Sequence, residues 1–170
     1  MDDMKLDLSK VRLAQAQQCI ASAKILAENN DYRGAANRSY YAIFHAMRSV
    51  LALDGKDFAK HAGVISCFRK DYIKTGALPR DLSPIITSAF DVRSDSDYDD
   101  YYIIDKEEVD IQIKNAQYFY NIVEVYATQR IKSNSWLYIV FKKVLSCIRR
   151  YFMALNPEVR AKLQARIDEL

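Results

Sequence analysis

The chain has 170 residues and a formal net charge of +3, half of its residues are apolar, and it holds four glycines and three prolines. That length suits one domain with an appended element, and so few turn residues argue against a β-sandwich and for helices. Residues 1–133 carry 18 Lys/Arg against 19 Asp/Glu (net −1) and residues 134–170 carry 7 against 3 (net +4). The body is therefore not a general polyanion binder, and the tail is mildly basic.

In residues 4–29, Leu13, Ile20 and Ala27 recur every seven positions and form one helical stripe. Asn29-Asn30-Asp31 breaks that helix, and Asp31 is a good N-cap for a second over 31–53. Asp54-Gly55 ends the second helix, with glycine in the left-handed position. A third helix is predicted from about Lys60 to Thr75, stopping at Gly76, with Val64, Cys67, Phe68 and Tyr72 on its core face. Pro79 and Pro84 bracket the entry to a fourth, capped by Asp81 or Ser83, which carries Ile85, Ile86, Ala89, Phe90 and Val92 before dissolving into an acidic tract. Asp105 and Glu108 form a capping box for a fifth helix over 105–132, with Val109, Ile113, Ala116, Tyr120 and Val123 inward.

After Ser133-Asn134-Ser135 a separate amphipathic helix is expected over 136–152. Trp136, Leu137, Val140, Phe141, Val144, Ile148, Tyr151 and Phe152 recur at helical intervals, and Lys142, Lys143, Arg149 and Arg150 share the other side. Asn156-Pro157-Glu158 then opens a short charged helix. The economical fold is all-α: an up-and-down bundle of about five helices over 1–133, with the amphipathic extension and short terminal helix over 134–170. That extension docks its aromatic face on the bundle or on a second subunit; a membrane-surface helix is the alternative.

Several chemistries are set aside. Cys19, Cys67 and Cys147 are far apart, lack CxxC spacing and read as buried free thiols in a reducing cytoplasm. The apolar run 136–141 is far short of the ~20 residues that span a bilayer, so a membrane partner is not expected. His45 and His61 have no metal-ligand spacing, and neither a metal nor another cofactor is expected. Asp95-x-Asp97-x-Asp99 starts like a calcium loop, but Asp100 and Lys106 occupy the positions that need Gly and Glu.

Two segments carry the functional signal. On the second helix Asn37, Tyr41, Phe44 and Arg48 lie along one face, and Arg38, Tyr41 and His45 lie on an overlapping stripe. The small residues Ala35, Ala36, Ala42 and Ala46 let another helix come close. Polar groups on so tight a face must be paired, or must bind something. The structural reading is an internal network tying this helix to the fourth and fifth. The other segment is Arg93-Ser94-Asp95-Ser96-Asp97-Tyr98, whose guanidinium suits phosphate oxygens or an internal carboxylate. Tyr98, Tyr101 and Tyr102 are expected on an exposed loop.

The strings Asn37-Arg38-Ser39-Tyr40-Tyr41-Ala42-Ile43-Phe44-His45-Ala46, His61-Ala62-Gly63-Val64-Ile65 with Phe68, and Arg93 through Tyr98 closely resemble the prokaryotic HEPN domain family over about residues 5–130. The resemblance implies a helical bundle that homodimerises, with the second and fourth helices of each copy at a shared cleft. It also implies a toxin-like subunit of a toxin–antitoxin or defence module, acting beside a nucleotidyltransferase-type antitoxin. Many members cleave RNA without metal, using an Arg and a His four to six residues on. Here Asp97 and Tyr98 stand four and five positions after Arg93, and no histidine follows. A phenol, with a pKa near 10, is a poor base at neutral pH. The catalytic candidates are Arg93, Tyr98 and Asn37; the nucleotide- or RNA-binding candidates are Arg38, Tyr41, His45 and Asp97. The alternatives are a non-catalytic module that binds nucleotide or RNA or recruits substrate, with Tyr98 as acceptor of a nucleotidyl group, and an assembly adaptor using the tail.

Overall fold

The computed structural model describes residues 3–98, 102–154 and 164–166, less the side chains of residues 97–98, 134–139, 142, 149 and 151–154. The described elements are all helical: α1 (Asp3–Glu28), α2 (Tyr32–Leu53), α3 (His61–Phe68) running into a π-helical turn (Arg69–Ile73), α4 (Leu82–Tyr98) and α5 (Lys106–Ala154). The chain divides into two compact units, Met1–Arg130 and Ile131–Leu170.

In the first unit α2 is the central rod. Its buried alanines, Ala35, Ala36, Ala42 and Ala46, bring neighbouring backbones close. Leu13, Ala16, Ile20 and Ala23 form the buried stripe of α1, and Val109, Ile113, Ala116, Tyr120 and Val123 that of α5. At one end Ala23, Ala35, Ala36, Val92, Ile104, Val109 and Ile113 pack together, joining α1, α2, α4 and α5. Elsewhere in this unit Phe68 packs on Tyr72 and Phe119 at ring-centroid distances of 5.4 and 5.8 Å. There Asp54 accepts hydrogen bonds from Tyr72 Oη and from Arg130 Nη2. Burial pushes the Asp54 carboxyl up, but those two donors outweigh it and hold it below the ordinary carboxylate range.

Local signals set the helix ends. Asp31 accepts from the Gly34 N–H at 2.9 Å and caps α2. Gly55, at φ +69°, sends the Lys56 N–H back to the Leu51 carbonyl and closes α2. Asp105 caps α5 by accepting from the Glu108 N–H at 2.8 Å, and the Glu108 carboxylate accepts from Tyr102 Oη. Tyr102 is thus half-buried and bonded, not part of the exposed loop expected from sequence. Tyr101 lies outside the described residues, as does the Tyr98 side chain.

Three helix boundaries differ from expectation. The third helix is α-helical to Phe68 and then widens into the π turn. The fourth does not dissolve after Val92 but continues to Tyr98, with Ser96 buried on its inner side. Ser and Asp are weak helix formers rather than breakers, so tertiary packing can override their preference. Ser133-Asn134-Ser135 does not interrupt α5 either, where a boundary was expected. Asp81, a candidate cap, instead accepts from Tyr118 Oη at 2.7 Å.

In the second unit Phe141, Val144, Leu145 and Ile148 are all exposed. Cys147 is exposed too, and Cys19 and Cys67 are half-buried, so burial of all three thiols is corrected. The helix expected from Asn156 begins outside the described residues. Among the described residues no helix is long and apolar enough to cross a membrane.

Candidate functional site

Where α2, α3 and α4 meet, an aromatic cluster surrounds His61. Tyr40, fully buried on α2, stacks on Phe44 at 6.0 Å and meets Phe90 of α4 edge-on at 6.1 Å. Its hydroxyl lies 2.9 Å from His61 Nδ1, and the Phe44 and His61 rings are 4.3 Å apart. The Arg93 guanidinium sits 5.9 Å from the Tyr40 ring centroid. The α2 positions 37, 40, 41, 44, 45 and 48 share one helical face, so one stripe supplies most of the site.

Electrostatics fix the protonation states. Burial pushes the Tyr40 phenol up to about 12, against the pull of Arg93, so it remains a neutral hydroxyl. Burial, then the charges of Arg93 and Arg48, push the His61 imidazole below its ordinary value. His61 is accordingly neutral at pH 7, with its Nδ1 tied to a phenol that can either donate or accept.

A second, arginine-rich patch lies along α2. Arg38 stands 5.0 Å above the Tyr41 ring and donates to Asn37 Oδ1 at 2.8 Å. Arg48 covers the Phe44 ring at 5.7 Å and pairs with Asp57 at 2.5 Å. His45 stands between them, pushed down to about 4 by burial and by Arg12, Arg48 and Arg38. Arg38 and Arg48 thus each lie over an aromatic ring, the Phe44 ring being itself buried.

Of the residues singled out from sequence, the structure brings Arg93 to Tyr40 and His61, and places Asn37, Arg38, Tyr41 and His45 on the neighbouring patch. The Asp97 and Tyr98 side chains lie outside the described residues, although both positions belong to α4. The sequence pattern placed Arg48 on the functional face of α2 and offered His45 or His61 only as a histidine that another helix could bring to the cleft; Tyr40 and Arg12 were left out of the site. The motif strings contained Tyr40 and His61, but no spacing rule links the first residue of α3 to the middle of α2. Among the described residues no group of three or more His, Cys, Asp or Glu could hold a metal ion.

Comparison with known proteins agrees with this architecture. The HEPN domain family matches residues 9–126. A Thermotoga maritima protein named "UPF0332 protein" is 32% identical over 110 residues, covering 65% of this chain and 83% of that protein. Two Methanocaldococcus jannaschii proteins are similar as well. "Putative toxin MJ0142" is 30% identical over 122 residues (72% of this chain, 82% of that protein). "Putative toxin MJ0605" is 39% identical over 83 residues (49% and 62%). With the family match spanning most of the helical bundle that builds the site, this chain belongs to the HEPN domain family.

Proposed function

We propose that this chain is the toxin-like subunit of a two-component module, acts as a homodimer beside a nucleotidyltransferase-type partner, and cleaves single-stranded RNA without metal. The observation that carries the reading is the meeting of Arg93, Tyr40 and His61, because it supplies the histidine that α4 itself lacks. The names of the two archaeal relatives support the toxin context.

The chemistry follows from the charges. A ribose 2′-oxygen attacks the adjacent phosphorus, the new O2′–P bond forms, and the P–O5′ bond breaks. The 2′-hydroxyl gives its proton to a neutral base, and the departing O5′ takes one from water. His61, neutral at pH 7, accepts that first proton at Nε2 while Nδ1–H donates to Tyr40 Oη. Arg93 balances the charge that builds on the non-bridging oxygens. Asn37 and Arg38 position the substrate strand, and Tyr41 offers a stacking face. Tyr40 is a positioning residue: its hydroxyl holds the imidazole tautomer and orientation.

Cleavage of a short labelled RNA by the purified full-length protein tests this. His61→Ala is expected to lower the rate by about 10²–10⁴-fold, and Arg93→Ala by about 10²–10³-fold. Tyr40→Phe is expected to cost less and to move the pH profile. Unchanged cleavage in His61→Ala and Arg93→Ala sinks the assignment. RNA binding with no turnover in the wild type favours the second reading, a non-catalytic RNA- or nucleotide-binding module. The observation on its side is that Asp97 and Tyr98 stand on α4 where a histidine is expected.

A further inference from the structure

A groove of about 570 Å³ runs between α3 with its π turn and α4. Its apolar wall is Ile65, Ile86 and Phe90, and its cationic rim is Arg69, Lys70 and Lys74. Asp91 is the carboxylate on the α4 wall. Such a lining, apolar on one side and positive on the other, suits a ligand with a flat ring at one end and an anion at the other.

Three further observations connect the groove to chemistry. Its lining includes Ala62, the residue after His61, and Phe90, whose ring meets that of Tyr40, so it opens beside the Arg93–Tyr40–His61 centre. Arg69 is held across its edge by hydrogen bonds from Nη2 to the Ser83 carbonyl at 3.0 Å and to Thr87 Oγ1 at 2.5 Å. Its Nε is buried without a hydrogen-bond partner. Arg69 and Lys70 also begin the π turn, a wide helical turn that recurs at functional sites.

We propose that this groove is a nucleotide subsite, the seat of the unit that flanks the reacting phosphate. The base lies against Phe90 between Ile65 and Ile86, and its phosphate is held by Lys70, Lys74 and Arg69. Asp91 accepts a hydrogen bond from an exocyclic amine, which adenine, cytosine and guanine carry and uracil does not. The proposal rests on the RNA-directed reading above and gives that site a base preference.

Calorimetric titration of the full-length protein with adenosine 5′-monophosphate, uridine 5′-monophosphate, adenosine and inorganic phosphate tests it. Adenosine monophosphate is expected to bind at least tenfold more tightly than each of the other three. The double variant Lys70→Glu/Lys74→Glu is expected to lose at least tenfold in that affinity, Asp91→Ala is expected to erase the preference over uridine monophosphate, and Lys10→Glu on α1 leaves both unchanged. No binding by the wild type, or equal binding by the double variant, overturns the proposal. Phosphate matching the nucleotide overturns it too, because the groove is then a simple anion site. Loss of the dimer in the double variant by light scattering does the same, because the groove then belongs to a second copy. Failure of the catalytic reading looks different: nucleotide binds and the double variant weakens it, yet RNA stays intact in the wild type. Where RNA is cleaved, the double variant raises KM more than it lowers kcat, and His61→Ala does the reverse.

Discussion

α2 and the part of α5 beyond Arg130 are both rich in aromatic and basic residues at helical spacing, yet they meet opposite fates. In α2 the Tyr40 and Phe44 rings are buried against His61 of α3 and Phe90 of α4, and the arginines lie over ring faces or pair with Asp57. In the second unit Phe141, Val144, Leu145 and Ile148 are exposed on a helix with Lys143 and Arg150. An amphipathic pattern states which side of a helix is apolar, not what will cover it. In α2 buried alanines on the face opposite Tyr40 and Phe44 admit neighbouring helices to close contact, and burial on the aromatic side perturbs His45, His61 and Tyr40. The exposed stripe has no comparable run of small residues. Among the described residues the perturbed titratable groups accordingly stand in the first unit, where low dielectric makes charges matter.

Equal truncations in the two regions give the largest test. Ile43→Ala removes a fully buried side chain and is expected to cost about 2–5 kcal/mol in urea unfolding. Ile148→Ala, at a position 58% exposed, is expected to change stability by less than about 0.5 kcal/mol. A multi-kcal/mol loss at Ile148 would mean that the stripe is covered in solution, and would erase the contrast.

Acid titration sharpens the same contrast, because both histidines stand in the first unit. Folding lowers the His45 pKa to about 4, whereas the unfolded chain takes up this proton near 6.5. The contribution to stability is therefore intact above about 6.5 and declines as pH falls through about 4. His45→Gln should flatten that part of the stability–pH curve and leave stability at pH 8 little changed. Parallel curves for the two proteins would refute the buried, arginine-flanked state of this imidazole.

The smallest effect is kinetic. Cys147 is exposed, whereas Cys19 and Cys67 are half-buried with thiols pushed upward, chiefly by burial. A thiol reagent at pH 8 should modify Cys147 first, without unfolding the first unit. Equal rates at all three positions would contradict that order.

The sequence by itself determined the helices and most of their ends, because those signals are local: seven-residue spacing on α1, Asp31 and Asp105 as caps, Gly55 as a left-handed stop. It also held the family motif and drew attention to Arg93. It misjudged the C-terminal end of α4 and the break before Trp136, because Ser, Asn and Asp are weak helix formers rather than breakers. The site's composition was decided by tertiary structure. His61 stands on a different helix from Arg93, and what joins them is the packing of three helices around the buried Tyr40 ring. No periodicity within one helix encodes which residue of another will face it.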